Sequence, residues 1–89
     1  MSHHGRYGAD EDVRNRIFAE ILAEADADGW TVSIERANRM ARDAWMAVER
    51  FVQARERAGI AVRPYQHEAE TQRAKRVVVD AYLDEEQAK

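Results

Sequence analysis

With 89 residues, no cysteine and a formal charge of −3, the chain has room for one core and cannot be stapled by disulfides. The same composition excludes thiolate metal sites and a cysteine nucleophile. No apolar run approaches the ~20 residues that cross a bilayer, and the opening MSHHGRYG lacks the apolar segment of a signal peptide, so a cytoplasmic protein is expected.

Residues 1–9 read as a flexible N-terminus, 10–86 as one helical domain and 87–89 as a tail. The first helix is expected over about 10–27. Asp10 is a suitable cap, and Glu11 and Asp12 suit the positive end of the helix dipole. Val13, Ile17, Phe18, Ile21, Leu22 and Ala25 recur at helical spacing. Gly29 suits the left-handed turn that stops a helix.

Ser33 is the natural cap of a second helix, which ends near Ala58 with Gly59 as its stop. Its stripe runs Ile34, Ala37, Met40, Ala41, Ala44, Trp45, Val48, Phe51 and Val52, with charged residues on the other side. GIAVRP, residues 59–64, reads as an extended connector, because the residue before proline disfavours helix. A third helix follows over about 65–86. Its first half is mostly polar, and its second half, VVVDAYLD, is apolar nearly all round.

The fold expected is therefore all-α. Helices 1 and 2 form an antiparallel hairpin, and a C-terminal third helix completes the domain. The core is expected to hold Val13, Ile17, Ile21, Leu22, Trp30, Ile34, Met40, Ala44, Val48 and Phe51. The charge is uneven along the chain. Residues 10–35 carry eight acids and two arginines, whereas residues 36–79 carry ten bases and five acids. This segregation reads as attraction between an acidic first helix and a basic second one.

Chemical motifs are sparse. In EADADGWTVSIE, residues 24–35, Gly29 at the sixth position of a calcium loop sets Glu24 at 1, Asp26 at 3, Asp28 at 5 and Glu35 at 12. A glutamate at position 1 and a threonine at position 8 depart from that pattern, and no second loop accompanies it. A plain corner between helices, with its acids facing helix 2 arginines, is the preferred reading. His67-Glu68 begins a zinc HExxH pattern, but residue 71 is threonine, so a solvated helix start is expected there. No nucleophile elbow or phosphate-cradling glycine loop is present, so neither an enzyme nor a cofactor is expected. Arg39, Arg42, Arg50 and Arg57 share the solvent face of helix 2 and could track phosphates, but Asp43, Glu49 and Glu56 interleave with them.

Twelve arginines against two lysines, with sixteen alanines, resemble the usage of small uncharacterised helical proteins of actinobacteria or their bacteriophages. That resemblance is compositional, covers no motif and implies no activity.

A protein–protein interaction module is thus the leading expectation, with a phage accessory protein binding a host or virion protein as one form of it. A degenerate calcium-binding hand and a nucleic-acid binder are the alternatives. The surface expected to carry the interaction comprises Trp45, Met46, Val77, Val78, Ala81 and Tyr82. Val77 and Val79 lie about 200° apart on a helix and cannot both face one core. A homodimer through residues 74–83 is expected to cover the face left bare.

Overall fold

The computed structural model describes residues 10–88. The expected flexible segment 1–9 and Lys89 of the expected tail lie outside the described residues. The described chain forms three α-helices: α1 Asp10–Asp28, α2 Ile34–Arg57 and α3 Pro64–Gln87. The fold is all-α.

Local chemistry sets the boundaries. Gly29 takes φ 79°, and its amide and that of Trp30 both donate to the Ala25 carbonyl, at 2.9 and 3.1 Å. α2 ends in the same way at Gly59, where the Ile60 amide reaches back to the Arg55 carbonyl at 2.9 Å. Ser33 is extended, and its hydroxyl oxygen accepts the Arg36 amide at 3.0 Å. α3 opens on Pro64, and Gln66 Oε1 accepts the Arg63 amide at 2.9 Å.

α2 packs against both other helices, which touch each other less. α1 supplies Val13, Ile17, Ile21 and Ala25, each one turn beyond the last. α2 supplies Ala37, Met40, Ala41, Ala44, Val48 and Val52, and α3 supplies Ala74, Val79 and Tyr82. So many alanines let the helices approach closely but bury little area each, so the core is thin.

The direction of the helices follows from their pairings. Arg16 meets Glu68, Glu20 meets Gln72 and Glu24 meets Arg76, so partners advance together and α1 runs parallel to α3. An α2 running counter to both, with short links to each, is consistent with the expected hairpin.

Three expectations need correction. Ile34, expected in the core, is 59% exposed. Helical periodicity gives direction but not depth, and Ile34 is the first residue of α2. Leu22, Trp30 and Phe51 pack against the core while remaining only half-buried. His67 and Thr71, read as a solvated helix start, are buried between helices, with Val62 buried just ahead of them.

Candidate interaction surface

The seam between α1 and α3 is polar and largely satisfied. Lys75 is buried, and its Nζ sits 3.1 Å from Glu20 Oε1 and 3.5 Å from Glu24 Oε2. Gln72 Nε2 donates to Glu20 and to Glu68, both at 3.1 Å. Arg16 closes the far end with a 2.7 Å bond to Glu68. Among the described residues the interhelical ion pairs of acidic α1 therefore run to α3, although α1 packs more extensively on α2. The expected pairing with α2 is corrected to α3, because charge counts give sign but not which side chains come within reach.

These contacts move the titrations of the seam. Burial disfavours the Glu20 carboxylate, but hydrogen bonds from Gln72 and Lys75 outweigh it and hold its pKa below the ordinary value. The Arg16 hydrogen bond lowers Glu68 likewise. His67 is shifted down because burial disfavours its charged form, a loss that neighbouring Glu68 only partly offsets. Thr71 Oγ1 donates to the His67 carbonyl at 2.8 Å, so its hydroxyl is spent on the backbone. Mutually neutralised groups of this kind hold two helices together.

The proposed calcium ligands do not converge. α1 continues as helix to Asp28, so Glu24, Asp26 and Asp28 ride on helical backbone and not in a loop. Glu24 turns to Lys75 and Arg76, Asp26 and Asp28 are exposed, and Glu35 lies in the first turn of α2, also exposed. Among the described residues no group of three or more His, Asp or Glu side chains is arranged to hold a metal.

The candidate phosphate-tracking arginines, Arg39, Arg42, Arg50 and Arg57, are all exposed, but they spread along α2 over ~27 Å at 1.5 Å per residue. Arg39 and Arg42 border two hollows. One lies toward α1, with Arg14, Asn15 and Asn38. The other is the groove between α2 and α3. Arg50 borders a third, with Trp45, Met46, Glu49 and Gln53.

The α2–α3 groove encloses about 390 Å³. Its apolar lining is Met40, Val77, Val78, Ala81 and Tyr82, and Arg36, Arg39, Arg42 and Asp43 wall it on the α2 side. Val77 is 58% exposed, Ala81 is exposed and Val78 is half-buried. Tyr82, expected at the surface, is buried instead. Its hydroxyl donates to the Thr31 carbonyl at 2.8 Å, Trp30 lies against its ring, and the Arg36 guanidinium sits 4.9 Å from the ring centre. Arg36 also pairs with Glu85, which fixes it as a wall of the groove.

Trp45 and Met46 do not join this surface. Trp45 is half-buried toward α1, with the Arg14 guanidinium 5.9 Å from its ring, and Met46 points outward from α2. The structure therefore splits the expected surface in two. It also adds Arg36, Met40 and Asp43, which the sequence reading left out. Their signal was present: Arg36, Met40 and Asp43 fall on one side of α2 at spacings of four and three.

Neither a protein-family model, nor a curated protein, nor a solved structure matches this chain.

Proposed function

We propose that this chain is a small, non-enzymatic protein–protein interaction module that works through the α2–α3 groove. The observation that carries the reading is an apolar strip, Val77 with Val78 and Ala81, left uncovered after the three helices have satisfied one another. Contiguous apolar surface rimmed by charge is the usual form of a protein-binding site. The polar groups of the α1–α3 seam are occupied with each other. Arg39 and Arg42 have no ion-pair partner among the described residues, so the rim retains charge with which to select a partner.

The test is affinity capture from the native host, run in parallel with wild type and a Val77→Arg variant whose helicity is checked by circular dichroism. A defined protein recovered in stoichiometric amount by wild type and lost by the variant supports the groove. Recovery of nucleic acid alone, or of a protein held equally by both, counts against it.

A further inference from the structure

Resting on that reading, we infer that the occupant of the groove is a second copy of this chain, paired about a two-fold axis that runs along the groove. The surface is self-complementary. On the α2 side stand Arg39 and Arg42, unpaired among the described residues and outnumbering the exposed Asp43 beside them. On the α3 side, beyond Val77 and Ala81, stand Asp80 and Asp84. Helical spacing sets both acids outward from Val77 and Ala81, away from α2. Asp84 has no ion-pair partner among the described residues, and Asp80 has only an exposed contact with Arg76 at 3.7 Å.

An isologous interface requires this arrangement, because each patch must meet its own copy. With the axis along the groove, α2 of one copy lies across α3 of the other. The arginines then face the aspartates twice, and the two apolar strips meet between them. An axis across the helices would set α2 on α2 and bring arginine against arginine, which like-charge repulsion disfavours. The molecule measures 44 × 22 × 19 Å, so its two-helix face has room for the ~800 Å² per partner that a stable pair buries.

Sedimentation at about 100 μM, with circular dichroism to confirm folding, tests this through charge exchange at exposed sites. Wild type is expected to sediment as a dimer. Arg39→Glu with Arg42→Glu, and separately Asp80→Arg with Asp84→Arg, are each expected to weaken self-association about tenfold or more. Combining all four changes in one chain should restore the dimer, and mixing the two charge variants should give a heterodimer. Monomeric wild type overturns the proposal, as does a dimer indifferent to these changes or a failure of both rescues.

Failure here is distinguishable from failure of the interaction reading. A monomer that still captures a host protein through Val77 leaves the module reading intact and removes only the self-pairing. A monomer whose captures are all independent of Val77 removes both.

Discussion

Among the described residues Trp45 carries a buried polar group left unsatisfied. Its Nε1 is buried without a hydrogen-bond partner among the described residues. An unmade bond of this kind costs roughly 1–3 kcal/mol, while the ring itself packs usefully beside Arg14. Trp45→Phe removes the donor and keeps an aromatic ring. It is expected to be neutral or stabilising by up to about 1 kcal/mol in urea unfolding. A loss above about 2 kcal/mol would mean that the indole nitrogen has a partner. Lys75 is the opposite case, a buried ammonium with two carboxylates. Lys75→Met should cost about 1–3 kcal/mol, because Glu20 and Glu24 would crowd each other without it. Adding Glu20→Gln should then recover part of the loss, and a double-mutant cycle measures the coupling.

At the scale of the element, the two glycine stops define the helices more sharply than any apolar contact does. A Cβ built on Gly29 meets no atom within 4 Å, so the cost of Gly29→Ala is conformational alone. Holding alanine at φ 79° is expected to cost about 1–2 kcal/mol, read from the urea midpoint at unchanged slope. The ends of the helices were legible because glycine, serine and proline act locally, through backbone angles and a single hydrogen bond. The α1 and α2 stripes were legible for a similar reason, since periodicity gives direction. What periodicity lacks is height along the axis. Ile34 points the right way and stays largely exposed, whereas His67, Thr71 and Lys75 look solvent-facing by type and are buried by position. The groove was half legible. Val77 and Ala81 announce an uncovered face, but that Arg36 and Met40 wall it depends on how α2 and α3 meet.

At the scale of the whole molecule, the polar seam makes stability depend on pH in one direction. The unfolded chain holds a proton on His67 more tightly than the native state does, because burial lowers the folded pKa. The contribution of His67 is therefore complete above its ordinary value of 6.5 and declines as pH falls through and below that value. Glu20 and Glu68 also have lowered folded values, so their contribution is present above the ordinary 4.5 and is lost as pH falls further. Urea midpoints measured from pH 8 to 3 should show a plateau, a shallow decline and then a steeper one. His67→Leu should flatten the shallow limb and leave the steep one. A midpoint that rises on acidification would contradict both shifts.

The seam also bears on chirality. Three helices joined by short links can wind with either hand, and an apolar core of alanines and valines distinguishes poorly between the two. In the mirror arrangement the side of α3 carrying Lys75 and Arg76 would turn from acidic α1 to α2, which holds six arginines against four acids. The buried ammonium would lose both carboxylates and gain a basic neighbour. A single lysine among the buried residues thus selects against the reflected fold while its two carboxylates hold it in the native one. Chains with methionine at position 75 would be free to populate both hands, and the sign is broadened or doubled amide resonances at unchanged helicity.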